Sequence, residues 1–270
     1  TNAMEEKLKQ CSYYLHTRDQ SSFGGRAIDI DLKNPITGLP MTGSSSGTAI
    51  NVFLGINDIG MGTDGGGSVL APAVSLNLFS VIDPLLFYEE RKKENEKVST
   101  DGISFMPSIG LISRNLKLLR ELYLNLRALE NSNRETKILV DDENICNLLK
   151  DENLEVSSFE GKYDNERLAL IETAKRLLEK YDIIVSKEGP VDLNGFGDTV
   201  FGHFDDKTKK IQVAANKGFL RIANMANCFA LTVPSGELST AYVILCDSNN
   251  VSAIRKSFLI AESLYRENDA

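Results

Sequence analysis

The chain has 270 residues, of which 42% are apolar and 25% are charged, and its formal net charge is −8. This length suffices for a sizeable buried core, and the negative charge argues against nucleic acid or an anionic membrane surface as the main partner. No apolar run approaches the roughly 20 residues of a membrane-spanning helix, and no signal-peptide pattern follows the start of the chain.

Residues 1–3 are predicted to be the remnant of an expression tag, and residues 4–270 a single domain. The four cysteines are scattered without CxxC spacing, which favours reduced thiols and a cytoplasmic location. His16 and His203 are the two histidines of the chain. This scarcity argues against a histidine-based metal site, and no cofactor is predicted.

The first half of the chain alternates short predicted elements with loops rich in glycine and serine. In chain order the pattern predicts an amphipathic helix at 4–15, loop at 17–43, a buried helix at 47–54, a strand at 59–63, a charged connection at 89–102 and a long helix at 113–130. The last of these rests on helical spacing of apolar residues from Ile109 to Leu126.

The second half alternates strands with helices. Strands are predicted at 137–141, 154–159, 182–186, 229–233 and 240–246, and helices at 144–149, 165–180, 217–226 and 250–265. This alternation predicts an α/β fold, a mixed twisted sheet with helices on both faces.

Two clusters of small residues, which we call the serine clusters, carry the chemistry: one at 42–47 and one at 62–68. Gly65-Gly66-Gly67-Ser68 follows a predicted strand, and glycine allows a tight turn whose N–H groups form a concave anion site. Such N–H groups stabilise the oxyanion that develops when an acyl carbon is attacked. Ser68 would then be the nucleophile, provided that a base removes its proton.

A purely structural alternative for the serines of both clusters is helix capping. Ser44, Ser45 and Ser46 precede the predicted helix at 47–54, and Ser68 follows the glycine turn, so each hydroxyl is suited to an N-cap.

Other motif interpretations fit less well. The stretch 43–47 matches the G-x-S-x-G nucleophile elbow, with His203 to complete a triad, but no strand pattern precedes it. The glycine run lacks the Lys-Ser/Thr of a phosphate loop, and its contiguous glycines do not match a dinucleotide fingerprint. The acidic runs at 141–143 and 205–206 suggest either a metal site or solvated and helix-start charge. Cys228 and Cys246 are expected in the core.

Further motifs extend the pattern over most of the chain. They are Asn34-Pro35, the segment 107–114 that leads into a long helix, the segment 224–236 with its Asn-Met-Ala and Val-Pro-Ser-Gly, and the terminal helix around 261–264. Together with the two serine clusters they resemble the amidase signature family, whose members hydrolyse or transfer carboxamides with a Ser–cisSer–Lys triad.

The resemblance implies roles for individual residues. Ser68 matches the nucleophile, Ser44 the cis-serine that relays the proton, and Asp64 the aspartate that opens the oxyanion loop. The N–H groups of 65–67 match the loop itself, and Ser45 is counted with the binding residues. The implied ligand is a small carboxamide.

This sequence also departs from the family pattern at the chemistry. No Val-Lys-Asp segment precedes Ser44, Leu70 stands where the family has arginine, and Thr42 replaces a glycine. The expectation is a shortened, catalytically impaired or inactive member that retains the Ser44/Ser68 cleft for a ligand or a partner. The alternative is an active amidase whose base is Lys187 or a lysine from another chain, although Lys187 also fits a surface lysine. Self-association or a partner chain is expected where the missing segment would pack.

Overall fold

The computed structural model describes residues 33–39, 41–91, 96–99, 101–130, 132, 134–149, 153–164, 166–195 and 205–268. The helices in these ranges are α1 (Ser46–Phe53), α2 (Leu70–Ser75), α3 (Tyr88–Arg91), α4 (Leu116–Arg127), α5 (Glu143–Leu149), α6 (Arg167–Leu178), α7 (Asp206–Val213) and α8 (Val251–Asn268), with a 3-10 turn at Phe219–Arg221. The strands are β1 (Ile59–Asp64), β2 (Phe79–Asp83), β3 (Lys97–Val98), β4 (Ser104–Phe105), β5 (Ser108–Ser113), β6 (Ile138–Val140), β7 (Leu154–Val156), β8 (Ile183–Glu188), β9 (Cys228–Pro234) and β10 (Ala241–Asp247).

The main sheet is mixed and has the strand order β1-β5-β2-β9-β10-β8-β6-β7. Neighbours from β1 to β8 pair antiparallel, whereas β6 pairs parallel with both β8 and β7. Strands β3 and β4 form a separate two-stranded sheet. The predicted α/β fold with a mixed, helix-covered sheet is confirmed.

Each face of the main sheet buries its own apolar cluster, because successive side chains of a strand point to opposite faces. In β9, Phe229, Leu231 and Val233 belong to the cluster under α4, α5 and α8. Ala230 belongs to the cluster under α1, α2, α6 and the loop at 219–226. We call this second face the serine face, because α1 and α2 follow the two serine clusters.

The predicted helix at 113–130 is shorter than its apolar spacing suggested. Ile109 and Ile112 lie in β5, a strand between β1 and β2 whose six residues are all buried. A run that is apolar on both faces satisfies helical and strand periodicity alike. The helix starts after Asn115, whose side chain accepts a hydrogen bond from the N–H of Leu118 at 3.0 Å.

The predicted helix at 217–226 is wrong, since only the 3-10 turn forms there. Asn216 and Asn227 both have positive φ, 52° and 56°, which bounds the segment at each end. The intervening apolar side chains pack on the serine face from several directions, so a single helical stripe does not describe them. The prediction at 4–15 lies outside the described residues.

Candidate functional site

The glycine turn after β1 is organised by Asp64, the last residue of that strand. Its buried carboxylate accepts hydrogen bonds from the N–H groups of Gly67 at 2.7 Å, Val69 at 2.6 Å and Leu70 at 3.1 Å. Burial raises the pKa of Asp64 above its ordinary value, although these N–H groups act in the opposite direction. The carboxylate thereby fixes the path of the chain from β1 into α2.

Close packing explains why the turn consists of glycines. A Cβ at Gly65 would overlap the ring of Phe105, and one at Gly66 would lie 3.1 Å from Nη1 of Arg167. Gly67 has φ of +95°, and a Cβ there would lie 3.0 Å from the carbonyl oxygen of Leu220.

The turn offers fewer oxyanion donors than the sequence implied. The N–H of Gly67 is directed at Asp64, so it is not available to a ligand. No residue of the described ranges accepts a hydrogen bond from Gly65 or Gly66. Their two N–H groups are therefore the ones that can stabilise an oxyanion.

The structure brings the two serine clusters together. The N–H of Ser45 donates to the carbonyl oxygen of Ser68 at 3.0 Å, and the peptide bond between Gly43 and Ser44 is cis. Ser44 and Ser68 are half-buried. Their hydroxyl groups hydrogen-bond neither to each other nor to any other described residue, so the link between the clusters runs through the backbone.

Helix capping does not describe the side chain of Ser45. Ser45 is the N-cap residue of α1 by position, but its side chain makes no capping hydrogen bond. Its hydroxyl is buried without a hydrogen-bond partner among the described residues. A Cβ at Gly62 would overlap that hydroxyl, so the glycine in β1 provides the space that Ser45 occupies.

The structure does not bring Lys187 to the serines. Lys187 lies opposite Tyr242 of β10, on the sheet face away from the serine loops. Its ammonium forms an ion pair with Glu237 at 2.5 Å. Burial tends to lower the pKa of Lys187, but Glu237 raises it overall. Lys187 is therefore ion-paired on the face of the sheet away from the serines, and it is not placed to remove the proton of Ser68.

A different lysine, which the sequence analysis missed, does approach the loop at 41–45 that carries Ser44. Nζ of Lys217 donates to Oγ1 of Thr42 at 2.7 Å and lies 3.0 Å from Oδ1 of Asp192. All three side chains are buried. A signal was present in the sequence, because Lys217 begins the largely apolar segment 217–226, in which Arg221 is the only other charged residue.

Two further buried groups hold the loops that surround the serines. The carboxylate of Glu188 accepts from the N–H groups of Gly218, Phe219 and Leu220 at 2.8, 2.6 and 3.2 Å, and burial raises the pKa of Glu188. The side-chain amide of Asn224 donates to the carbonyl oxygen of Gly65 at 3.3 Å. Asn224 therefore supports the glycine turn from beneath.

The wall beside Gly66 carries two arginines. Nε of Arg167 donates to Asp101 at 2.6 Å, and a guanidinium nitrogen of Arg221 donates to the carbonyl oxygen of Tyr163 at 3.3 Å. Burial and the neighbouring Arg167 lower the pKa of Arg221. The region around the two serines therefore combines two hydroxyl groups, two N–H groups and the Arg167–Asp101 ion pair beside Gly66, which suits a polar ligand with a carbonyl oxygen.

The acidic residues and cysteines that the sequence analysis also considered make contacts typical of structural roles. Asp205 is the N-cap of α7 and accepts from the N–H of Thr208 at 2.7 Å, and Asp141 pairs with Lys162 at 2.6 Å. Cys228 and Cys246 are buried. His203 lies outside the described residues. Across the described ranges no group of three or more His, Cys, Asp and Glu side chains could hold a metal ion.

None of the helices that the structure describes is both long and apolar enough to span a membrane.

Solved structures of amidases resemble this chain. The urea amidolyase of K. lactis gives a TM-score of 0.57 at 14% identity, over 90% of this chain and 19% of its own. The allophanate hydrolase of Kluyveromyces lactis gives 0.53 at 13% identity, over 89% of this chain and 51% of its own. A bacterial aryl acylamidase of the amidase signature family gives 0.51 at 14% identity, over 93% and 71%.

This chain thus spans only part of the first two proteins, 19% and 51% of their lengths. No protein-family model and no curated protein sequence matches it. At such low identity the structural resemblance concerns the fold alone. The mixed sheet, the covered faces and these neighbours agree, and the chain has the fold of the amidase signature enzymes.

Proposed function

We propose that the Ser44/Ser68 cleft binds a small carboxamide, and that hydrolysis of this ligand is slow or absent. The observation that carries the proposal is the backbone hydrogen bond from Ser45 to Ser68 at 3.0 Å, which joins the two serine loops. The carbonyl oxygen of the ligand would accept from the N–H groups of Gly65 and Gly66, in the manner of an oxyanion site.

The low rate is expected because the contacts of Lys217 and Lys187 lead away from the serine hydroxyl groups. A serine hydroxyl is a weak nucleophile unless a base takes its proton. The ammonium of Lys217 lies against the carboxylate of Asp192 at 3.0 Å. Nζ of Lys217 also donates to Oγ1 of Thr42 at 2.7 Å, so this lysine is engaged by Asp192 and Thr42 rather than by a serine hydroxyl. Lys187 is likewise ion-paired, with Glu237.

Benzamide binding tests the first half of the proposal. In protein labelled with ¹⁵N-glycine, titration with benzamide should shift the amide resonances of Gly65 and Gly66 in a saturable way. Gly38, in an exposed turn with open space around it, should not respond and serves as the internal control. Shifts that do not saturate, or none, would count against a carboxamide site.

Reaction with a fluorophosphonate, followed by intact-mass spectrometry, tests the second half. We expect wild-type protein to gain no more adduct than Ser68→Ala does. A stoichiometric adduct that disappears in Ser68→Ala would instead favour the alternative function, an active amidase with Ser68 as nucleophile. In that function Ser44 would relay the proton to a substitute lysine or to one supplied by another chain.

A further inference from the structure

We propose that Lys217 is a positioning residue, which holds the serine loop (residues 41–45) in place through Thr42. The inference concerns the same cleft as the proposed function but can be tested without a ligand. It starts from a contact between residues far apart in sequence: Nζ of Lys217 donates to Oγ1 of Thr42 at 2.7 Å. Thr42 lies two residues before Ser44.

The buried ion pair between Lys217 and Asp192 is not explained by its contribution to stability alone. Lys217 and Asp192 are 7% and 8% exposed, and Thr42 is 6% exposed. Removing two charges from water has a large desolvation cost, and apolar residues of similar size often stabilise a protein equally well or better. The second contact of Lys217, to Thr42, gives this ion pair a geometric role.

Lys217 is itself fixed at both ends. The N–H of its neighbour Gly218 donates to the buried carboxylate of Glu188 at 2.8 Å, and its ammonium lies against Asp192. The hydroxyl of Thr42 therefore meets a donor at a fixed point rather than a mobile surface lysine.

The serine loop has few other hydrogen-bonded anchors, although Met41 at its start packs into the apolar cluster of the serine face. Within the described structure, residues 41–45 are tied to other loops by two hydrogen bonds, one from Lys217 to Thr42 and one from Ser45 to Ser68. The first fixes the loop before the cis peptide bond at Ser44 and the second fixes it after. Loss of the first should loosen the second, because residues 43–44 have no other tie to the described loops.

Hydrogen exchange at the N–H of Ser45 reads this coupling directly. A buried, hydrogen-bonded N–H exchanges only after local opening. In protein labelled with ¹⁵N-serine, we expect Thr42→Val and Lys217→Met to accelerate exchange at Ser45 by about tenfold or more. Thr42→Val is the decisive variant, because it keeps the ion pair with Asp192 and decides the matter even if Lys217→Met fails to fold.

Two matched variants separate positioning from general destabilisation. Thr42→Ser keeps the hydroxyl and should restore slow exchange. Thr232→Val removes a buried hydroxyl that bonds Ser80 at 2.6 Å in the sheet, and it should leave Ser45 exchange unchanged. Wild-type exchange at Ser45 in folded Thr42→Val would overturn the proposal. Failure of benzamide to bind the wild-type protein would instead contradict only the proposed function and not the positioning role of Lys217.

Discussion

Individual buried polar atoms in the cleft differ sharply in how well they are satisfied. The carboxylate of Asp64 accepts three N–H groups, whereas the hydroxyl of Ser45 has no partner in the described structure. A buried hydroxyl without a partner costs free energy, and where one persists it often has a functional reason. Ser45 is therefore the residue of the cleft at which stability and ligand binding are expected to diverge.

Ser45→Ala tests this divergence. The variant should be as stable as the wild type or more stable by up to about 1 kcal/mol, because it removes an unsatisfied group. Urea denaturation measures the difference. Ser80→Ala is the matched control, since Ser80 is equally buried but bonds Thr232 at 2.6 Å, and it should lose about 1–3 kcal/mol. An equal loss in both variants would contradict the assignment of Ser45 as unsatisfied.

Gly67→Ala tests the packing of the glycine turn. The variant combines a left-handed φ of +95° with a Cβ that meets the Leu220 carbonyl oxygen at 3.0 Å. Gly38 has φ of +69° and nothing within 4 Å, so Gly38→Ala carries the conformational cost of about 1–2 kcal/mol without the contact. We expect a larger loss of unfolding free energy in Gly67→Ala. Equal losses would show that the turn yields to the added methyl group.

At the scale of elements, β8 shows how one strand serves both faces of the sheet. Glu188 points to the serine face and binds the N–H groups at the start of the 3-10 turn. Its neighbour Lys187 points to the other face and pairs with Glu237. The period of two along a strand thus separates adjacent residues into different environments.

Glu188→Gln should loosen the segment that carries Lys217. The amide keeps the shape of the carboxylate but replaces one acceptor oxygen with a donor. At least one N–H of Gly218, Phe219 or Leu220 then loses its partner, at a cost of about 1–3 kcal/mol. Glu237→Gln alters an exposed pair and should change stability by less than about 1 kcal/mol. Chemical denaturation measures the free energy of unfolding of both variants. Similar losses in the two variants would contradict this role of Glu188.

At the scale of the whole molecule, charged groups from distant segments meet around the cleft. Arg167 of α6 binds Asp101, which follows β3, and their guanidinium–carboxylate pair borders Gly66. Burial opposes ionisation of Asp101, but Arg167 and Ser99 lower the pKa of Asp101 below its ordinary 3.8. Stability therefore becomes dependent on pH through this pair.

The sign of that dependence gives a prediction. Because the pKa of Asp101 is lowered in the folded state, its stabilisation is present above pH 3.8 and is lost as pH falls through the folded-state pKa. The free energy of unfolding of Asp101→Asn should therefore converge with that of the wild type at low pH. Asp205→Asn serves as a comparison at an exposed position. The pKa of Asp205 is also lowered, by its hydrogen bonds with Thr208. A difference between wild type and Asp101→Asn that is constant with pH would refute the prediction.

Most of the predicted elements exist, because each rests on local periodicity. The helix predicted at 47–54 is α1 and the strand at 59–63 is β1, each within one residue. The short elements α2 and β2 were not predicted, since all of their residues are buried and neither element has a solvent-facing side. Burial on every side removes the contrast from which periodicity is recognised.

The glycine turn, the serine clusters and the alternation of strands and helices were determined by the sequence itself. Positive φ, N–H geometry and side-chain period are properties of a few consecutive residues. Only the tertiary structure decided which lysine meets the serine loop. That outcome depends on strand order and on the face to which each side chain points, and these place Lys217 beside Thr42 and Lys187 on the far face. Contacts between residues so distant in the chain are set by the packing of the whole sheet, which no local pattern encodes.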